Sequence, residues 1–430
     1  MKFHLAAALT LAFSLLSPSA EAAGAENSLS TAIFNPLFRT LTATVDDNLL
    51  NLPVISLDGN QQLTFSFDEI ADDRSYLRAR LIHCNADWTP SSLVESEYVD
   101  GFNEALIEDF GYSSNTFIRY VNYHFTIGEN GLRPLVSGNY IWQVYPEDDP
   151  ENIILQARFR VTENAAFVAG EYSGRTDAGF NDEWQQLRLI VTPGQIQGLN
   201  PYADLMISIT QNDRPDTERT LLHPARVDGS KIIYEHQPEL IFPAGNEYRR
   251  FETVRNNYPG MGVDSTRWEA PMYQAYLAPA YSRADREYTY DSTQRGRFKI
   301  DEYNSTDPDL GADYIMTRFT LDFPEVMDGD IYIEGDLALR DYSDFNRMKY
   351  DRESGLYRAS IPLKQGSYNY QYVIKSRDDK QTGAYAAPIE GNYFQTVNEY
   401  NVYVYMRLPG SRADRLIGYA TIIDQLIIIN

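Results

Sequence analysis

Short runs in which apolar and polar residues alternate recur along most of the chain. They are rich in β-branched or aromatic residues and are bounded by Gly, Pro, Asn or Asp, which is typical of β-strands. The clearest are residues 63–67, 140–145, 156–161, 187–191, 205–209, 231–234, 330–333, 356–363, 368–374 and 401–406. Helical spacing is rare, and its best window, 94–110, predicts a turn or two of helix at 104–108. The pattern therefore predicts an all-β chain with few helices, built as tandem β-sandwich domains.

Two polar stretches, at 163–166 and 301–313, interrupt the series of strands. They predict three β domains, covering residues 28–162, 163–305 and 306–424. The last residues, 425–430, form an apolar tail. A terminal edge strand, a small docking element and a variable extension are all consistent with that tail.

The first 22 residues have the pattern of a secretory signal peptide. Lys2 supplies a positive charge, residues 5–16 are mostly apolar, and Ala20-Glu21-Ala22 has the small-residue form of a cleavage site. The apolar run is too short to span a bilayer, and no later stretch approaches the ~18 apolar residues that a transmembrane helix needs. The sequence therefore predicts an exported protein whose mature part has no transmembrane helix.

The composition narrows the classes of partner. Asp and Glu number 61 against 37 Lys and Arg, which gives a formal charge of -24. A field of this sign repels nucleic acid and anionic lipid, so we expect neither as a partner. The chain also has 32 Tyr and 20 Phe, whereas disordered acidic chains are poor in aromatic residues, so it is expected to fold. Its single cysteine, Cys84, excludes an internal disulfide and any metal site built from several thiolates.

The most distinctive run is HCNADW, which contains His83, Cys84, Asn85, Asp87 and Trp88. A metal site or a nucleophile with its base would require His83 and Cys84 to converge, but adjacent strand residues point to opposite faces. We therefore interpret the run as structural: the strand ends near Cys84, Asn85 and Asp87 cap a turn, and Trp88 packs beneath it. No zinc-protease, nucleophile-elbow or phosphate-loop motif occurs. We expect no catalytic residue, cofactor or metal site.

The segments 329–336, 355–357 and 366–373 resemble an early-set, immunoglobulin-like sandwich of the type used by glycogen-binding modules. Tyr368, Tyr370 and Tyr372 fall on one face of a predicted strand. This stripe is interpreted either as a partner contact or as packing against a neighbouring element. Sugar stacking on such tyrosines makes an exported carbohydrate-binding protein the alternative function.

Several longer strings carry a resemblance to a known family. In the N-terminal part these are LTFSFDEI, YLRARLIHCNADW and SGNYIWQVY, the last of which includes Gly138, Asn139 and Tyr140. Near the C-terminus they are LKQGSYNYQYV and the run ending in ADRLIG, which includes Asp414 and Arg415. Together these strings resemble the plug protein of the type IX secretion system of Bacteroidota.

That resemblance implies a non-enzymatic subunit, exported by the Sec route to the periplasm and held at the inner face of the outer membrane. Its implied partner is the giant SprA-type outer-membrane translocon barrel, whose periplasmic opening it closes. The resemblance implies no cofactor, no membrane insertion and no obvious small-molecule ligand. It assigns no contact residues, and it does not say which domain reaches the pore.

Overall fold

The computed structural model describes residues 29–129, 131–378 and 383–423, together with the backbone of 426–428. The predicted signal peptide, residues 1–22, lies outside the described residues. Strands dominate the described chain. Its helical elements are α1 (Glu95–Tyr98), α2 (Pro308–Gly311), α3 (Ala387–Glu390) and the single 3-10 turns Pro215–Thr217, Pro238–Leu240 and Asp336–Ala338. The prediction of an all-β chain with few helices is confirmed.

The first unit comprises residues 29–162 and contains two packed antiparallel sheets and a short two-stranded ribbon, β6 with β10. The larger sheet has the order β1-β12-β11-β5-β7 with β3 beside β12, and the smaller has the order β2-β4-β9-β8. The strands are β1 (Ala32–Ile33), β2 (Phe38–Val45), β3 (Val54–Ser56), β4 (Leu63–Glu69), β5 (Leu77–Cys84), β6 (Val99–Asp100), β7 (Ala105–Leu106), β8 (Asp109–Tyr112), β9 (Val121–Thr126), β10 (Arg133–Pro134), β11 (Gly138–Pro146) and β12 (Leu155–Thr162).

Alternation along the strands creates the core of this sandwich. Leu63, Phe65 and Phe67 are fully buried on one face of β4, while the residues between them are partly exposed. Phe65 stacks on Trp142 of the opposite sheet with 4.5 Å between ring centroids. Burying large aromatic rings between two sheets contributes most of the stabilisation of such a sandwich.

The second unit is discontinuous and comprises residues 163–243, 399–423 and 426–428. One sheet has the order β13-β14-β18-β17 with β19 beside β14, and the other has the order β16-β15-β31-β32-β33. The strands are β13 (Ala166–Ser173), β14 (Trp184–Pro193), β15 (Leu205–Gln211), β16 (Arg219–Leu221), β17 (Arg226–Asp228), β18 (Lys231–Tyr234), β19 (Ile241–Pro243), β31 (Glu399–Met406), β32 (Arg415–Ile423) and β33 (Leu426–Ile428).

The third unit comprises residues 249–390 and is inserted into the second. One sheet has the order β20-β29-β24 with β26 and β30 beside β29, and the other has the order β21-β22-β25-β28-β27 with β23 beside β25. The strands are β20 (Arg249–Glu252), β21 (Val263–Glu269), β22 (Met272–Leu277), β23 (Ala280–Tyr281), β24 (Phe298–Ile300), β25 (Tyr314–Asp322), β26 (Gly329–Glu334), β27 (Lys349–Asp351), β28 (Leu356–Lys364), β29 (Gly366–Ser376) and β30 (Ala384–Tyr385).

The second and third units do not follow the domain boundary that was expected at residue 305. Strand β31, expected in the domain 306–424, pairs antiparallel with β15 from Leu205↔Met406 to Gln211↔Tyr400. The second core accordingly joins Ile207 and Ile209 to Val402 and Val404. The polar stretch 301–313 is a connection inside the third unit. Its polarity reflects its surface position and does not mark a break between cores.

Two further expectations can be compared with the backbone. The suggested helical turns at 104–108 do not form, because Ala105 and Leu106 pair with Ala79 and Arg78 as strand β7. Cross-strand pairing here overrides the local spacing. At the other end, Leu426–Ile428 forms β33 and pairs with β32, while the remainder of the tail lies outside the described residues.

Buried ion pairs fasten the units to one another. Lys364 Nζ of the third unit lies 2.8 Å from Asp68 Oδ2 of the first, and these side chains are 1% and 0% exposed. Arg297, beside β24, lies 2.7 Å from Glu399 on β31 of the second unit. Within the part of the chain that the structure describes, no helix is long and apolar enough to cross a membrane.

Candidate functional site

Three motif strings taken from the sequences that carry the resemblance meet at the junction between the first and second units. They are HCNADW, SGNY and ADRLIG, and they are far apart in sequence. HCNADW ends β5, and the GNY of SGNY begins β11, its antiparallel neighbour. Cys84 pairs with Asn139 and His83 with Tyr140. ADRLIG leads into β32 of the second unit, which packs against this end of the first unit. We call this place the motif junction, defined by residues 83–88, 137–140 and 412–416.

Asn139 is the centre of the hydrogen bonding at the motif junction. Its side-chain amide donates to the carbonyl oxygens of Asn85 at 3.0 Å and of Ala86 at 3.3 Å. Its Oδ1 accepts a hydrogen bond of 2.7 Å from the hydroxyl of Tyr405 on β31. Because Asn139 is fully buried, each of these bonds satisfies a group that water cannot reach.

Asp414 extends this network to the turn of HCNADW. Its Oδ2 accepts a hydrogen bond of 2.9 Å from the backbone N–H of Ala86. Its Oδ1 lies 2.7 Å from Nε of Arg407, whose Nη2 donates to Asn85 Oδ1 at 2.6 Å. One carboxylate and one guanidinium therefore hold the turn of the first unit against the second.

Arg415 acts at the covalent connection between the two units. Its Nε donates to Glu163 Oε1 at 2.7 Å, and Glu163 directly follows the last strand of the first unit. Burial alone would raise the pKa of Glu163, but hydrogen bonds from Arg415 and Ser137 outweigh it and hold that pKa below its usual value. This charged pair links the start of β32 to the segment that connects the first and second units.

His83 is a neutral, fully engaged side chain. It is 1% exposed, its Nε2 donates to the Ser137 carbonyl oxygen at 3.1 Å, and its Nδ1 accepts from Ser91 Oγ at 2.8 Å. Burial is the main cause that lowers its pKa. The ring also meets Tyr140 edge to face at 4.9 Å. Both ring nitrogens are thus committed to structural bonds.

Cys84 lies on the other face of β5, as expected from the alternation. It is fully buried against Ile141 and Trp88, and burial raises the pKa of its thiol to about 12. A thiol in this state is protonated at neutral pH and is a poor nucleophile. Asp87 closes the turn by accepting hydrogen bonds from the backbone N–H and the hydroxyl of Thr89, at 3.0 and 2.6 Å.

Gly138 is required by the close approach of three segments. Its φ of +143° lies in a region that side chains rarely adopt. A Cβ at this position would lie 2.5 Å from Nε2 of His83 and 3.1 Å from the carbonyl oxygen of Asp414. All three motif strings therefore come together around this glycine.

The tyrosine stripe lies inside the third unit. Tyr368, Tyr370 and Tyr372 are only 2, 5 and 1% exposed and belong to its core. Phe251 stacks on Tyr368 with 5.0 Å between centroids. A partner or a sugar cannot reach these rings, so the interpretation of the stripe as a contact surface has to be corrected. The sequence pattern of a strand with tyrosines on one face is the same whether that face packs against a second sheet or is exposed to solvent.

The residues of the motif junction do not form a metal-binding cluster. Throughout the described residues, no group of three or more His, Cys, Asp or Glu side chains is placed to hold a metal ion. Sequence reasoning missed Tyr405, Arg407 and Glu163 as members of the junction. Tyr405 and Arg407 fall inside the C-terminal run that carried the resemblance, but their partners lie more than 200 residues away in sequence.

Comparisons with known proteins can be set beside this geometry. The family model described as "Type 9 secretion system plug protein 1st domain" matches residues 38–163, which is nearly the whole first unit. The crystal structure of a hypothetical protein from Parabacteroides merdae ATCC 43184 is 38% identical, covering 92% of this chain and 99% of that chain, with a TM-score of 0.90.

Two other solved structures match at 10% identity. They are the partial N-terminal region of the enterococcal surface protein, with 93% of this chain and 96% of that chain covered and a TM-score of 0.19, and dimeric latent PorU from Porphyromonas gingivalis, with 91% and 34% covered and a TM-score of 0.15. Similarities this low carry no argument about fold or function. No curated protein matches the sequence. The family model confirms the resemblance: through its first domain, residues 38–163, the chain belongs to the type IX secretion system plug protein family.

Proposed function

We propose that this protein is a non-enzymatic periplasmic plug, which binds the SprA-type outer-membrane translocon barrel and closes its periplasmic opening. Family membership gives the chain a role in type IX secretion. The partner, the compartment and the closing action belong to the proposal. The observation that carries it is the match of the plug domain to residues 38–163, the unit that contains two of the three motif strings.

The way in which the units are fastened supports a plugging role. A plug has to keep its shape while it bears against a pore, and buried charged contacts hold all three units together. Asp68 accepts hydrogen bonds from Lys364 and from the Tyr314 hydroxyl of the third unit. The Arg297–Glu399 pair and the motif junction complete the connections.

The exposed aromatic side chains supply a candidate contact surface for the barrel. Phe117 of the first unit and Trp268 and Tyr273 of the third form one cluster, in which ring centroids are 4.6 to 5.7 Å apart. Phe117 is 55% and Trp268 46% exposed. Large, partly exposed aromatic rings with little conformational freedom are typical of protein-binding surfaces. We call this cluster the aromatic patch.

The alternative, an exported carbohydrate-binding protein, loses its main support in the structure. It depended on sugar stacking against Tyr368 and Tyr370, and both rings are in the core of the third unit. Substituting either tyrosine would be expected to destabilise the fold, so loss of sugar retention in such variants would not report a binding site.

The test is co-purification of the tagged protein with the outer-membrane barrel under mild detergent. We expect the very large barrel to be retained, and a deletion strain to have an outer membrane that leaks solutes. The double variant Phe117→Ser/Trp268→Ser should reduce retention. Phe180→Ser, which alters a 66% exposed ring on the second unit, is the matched control. Absence of the barrel from the purified wild-type complex would contradict the proposed function.

Salt dependence separates two modes of binding in the same assay. If the acidic surface docks onto a basic rim of the barrel, retention should fall as salt shortens the Debye length below ~8 Å. Retention that salt leaves unchanged assigns the contact to the aromatic patch.

A further inference from the structure

A cavity of about 540 Å³ lies where the three units meet. Its wall includes Trp88, Arg158 and Arg160 of the first unit, Thr210 and Asp213 of the second, and Phe298 of the third. The cavity is separate from the motif junction, although Trp88 belongs to both. The proposed plugging function does not use this cavity.

Two arginines stand side by side in the cavity wall. Arg158 and Arg160 are alternate residues of β12, so their side chains leave the same face of the sheet. Both guanidinium groups lie over the ring of Trp88, at 4.2 and 4.8 Å from its centroid. Among the described residues, neither arginine has a carboxylate within ion-pair distance. Like charges held this close repel, and an anion between them would remove the repulsion.

The polar contacts of this pair leave donor groups unused. Nε of Arg158 donates to the carbonyl oxygen of Leu29, and Nε of Arg160 donates to the hydroxyl of Tyr405. The terminal Nη groups of both arginines make no further hydrogen bond within the described residues. This is notable for Arg160, because only 8% of that residue is exposed to solvent. Burial, followed by the charge of Arg160, lowers the pKa of Arg158 to about 10.

Other atoms in the wall also lack partners. Trp88 Nε1 and Thr210 Oγ1 are buried and have no hydrogen-bond partner in the described chain. Unpartnered buried polar atoms are uncommon in folded proteins, and two of them beside two unpaired arginines indicate that the site is built for an additional polar group.

Several of the other charged side chains around the cavity already form ion pairs. Arg297 pairs with Glu399, Arg340 pairs with Glu334 and Asp336, and Asp216 pairs with Arg214. Glu218 contributes negative charge near both arginines, but its carboxylate accepts a hydrogen bond from Ser208 and forms no ion pair with them. Burial raises the pKa of Asp213, and its charge interactions with Arg340, Arg297 and, more weakly, Arg160 oppose that rise.

We propose that this cavity binds a small oxyanion, a carboxylate or a phosphate, between Arg158 and Arg160. The planar guanidinium matches the paired oxygens of either group, and Trp88 fixes the orientation of both arginines by stacking. The wall draws on all three units, so the anion would lie where they meet. The proposal is independent of the proposed plugging function.

The test is calorimetric titration of the full exported chain with inorganic phosphate and, separately, with citrate, at an ionic strength held constant with sodium chloride. We expect saturable binding of at least one of them. Binding of phosphate alone assigns a phosphate site, and binding of citrate alone assigns a carboxylate site. No saturable binding of either would overturn the proposal.

Two variants with opposite effects make the test specific. Arg158→Gln should weaken binding by roughly tenfold or more, since it removes a charge-assisted contact. Asp213→Asn should tighten binding, since it removes a negative charge near the site, and asparagine tolerates the φ of +57° found there. Arg352→Gln, at an 80% exposed arginine outside the cavity, is the control and should leave binding unchanged.

Each variant is first checked for folding by its circular dichroism spectrum and thermal midpoint. A structural role for Arg158 would lower the thermal midpoint, but it would not produce tighter binding in Asp213→Asn. Equal affinity in the wild type, Arg158→Gln and Asp213→Asn would overturn the proposal even if an anion binds elsewhere on the protein.

Discussion

The Tyr405 hydroxyl donates a hydrogen bond of 2.7 Å to Asn139 Oδ1, joining two residues that are 266 positions apart. The same hydroxyl accepts a hydrogen bond of 3.1 Å from Nε of Arg160. Two residues earlier on β31, Tyr403 is equally buried, but its hydroxyl has no hydrogen-bond partner within the described residues. These neighbouring tyrosines therefore offer a comparison between a bonded and an unbonded buried hydroxyl.

Replacing Tyr405 with Phe should destabilise the protein by about 1–3 kcal/mol, because Asn139 and Arg160 are left with unsatisfied groups away from water. Tyr403→Phe should change the free energy of unfolding by less than about 0.5 kcal/mol or increase it, since a hydroxyl without a partner is removed. Urea unfolding of both variants measures the difference. Equal losses would show that the Tyr405–Asn139 bond does not stabilise the motif junction.

Gly138→Ala should destabilise the protein by about 2 kcal/mol or more, because a Cβ would meet His83 Nε2 at 2.5 Å on a backbone with φ of +143°. Gly128→Ala is the matched control. The φ of Gly128 is +87° and nothing lies within 4 Å of the added Cβ. The Gly128→Ala variant should therefore lose only about 1 kcal/mol of stability, which comes from backbone strain. Thermal midpoints of the two variants are compared, and a control that loses as much as Gly138→Ala would exclude crowding as the cause.

Lys364→Met should cost about 3–5 kcal/mol, because it leaves the carboxylate of Asp68 buried without its cation. The double variant Asp68→Asn/Lys364→Met should recover part of this loss, since no buried charge remains. Arg119→Gln breaks an ion pair whose side chains are 76% and 81% exposed, and it should cost less than about 1 kcal/mol. Denaturant midpoints of Lys364→Met, Asp68→Asn and the double variant provide the measurement. Strict additivity of the two single changes would argue against coupling between Asp68 and Lys364.

His83 should give the protein a measurable loss of stability in mildly acidic solution. Burial lowers its pKa in the folded state below the ordinary value of 6.5, so the unfolded chain takes up the proton first. Its contribution is therefore complete above about pH 6.5 and declines as pH falls toward the folded pKa, by at most about 1.4 kcal/mol per pH unit. Urea unfolding between pH 7.5 and about pH 5 measures this slope.

The control for this slope is a pair of histidine variants. His83→Gln should flatten the dependence in that range, whatever it does to stability at pH 7.5. His236→Gln, at a histidine whose side chain is 76% exposed, should leave the slope in place. A slope that survives His83→Gln would assign the proton uptake to another group.

Much of the fold could be predicted from local patterns. Alternation at residues 63–67 identified both the strand and its buried face, because a period of two is a property of the strand itself. At residues 140–145 it identified the strand, but the structure buries both faces. What alternation does not contain is the identity of the neighbouring strand. No local pattern therefore indicated the pairing of Leu205 with Met406, which are separated by about half of the chain. The incorrect domain boundary at residue 305 followed from this missing information.

At the motif junction, too, contacts between neighbouring residues could be predicted from the sequence, whereas contacts between distant residues could not. The structure shows the turn with the expected side-chain-to-backbone bond of Asp87, and it places His83 and Cys84 on opposite faces of β5. The Asn85 side chain bonds instead to the side chains of Thr89 and Arg407. The meeting of Asn139 with Tyr405 depends on how whole sheets pack. Tyr368 illustrates the remaining ambiguity, since tyrosine suits both a core and a binding surface and its sequence context is the same in each.

The return of β31 and β32 to the second unit imposes an order on folding. Until residues 399–423 have been synthesised, one long edge of β15 lacks its partner, and the core that contains Ile207 and Ile209 lacks the side chains that cover it. The first unit can fold early, but the second must wait for the inserted third unit to bring the chain back. Pairing over such long sequence separations is slow and leaves an open strand edge exposed meanwhile. Refolding should therefore show a fast phase from the first unit and a slow phase in which the second sandwich closes last.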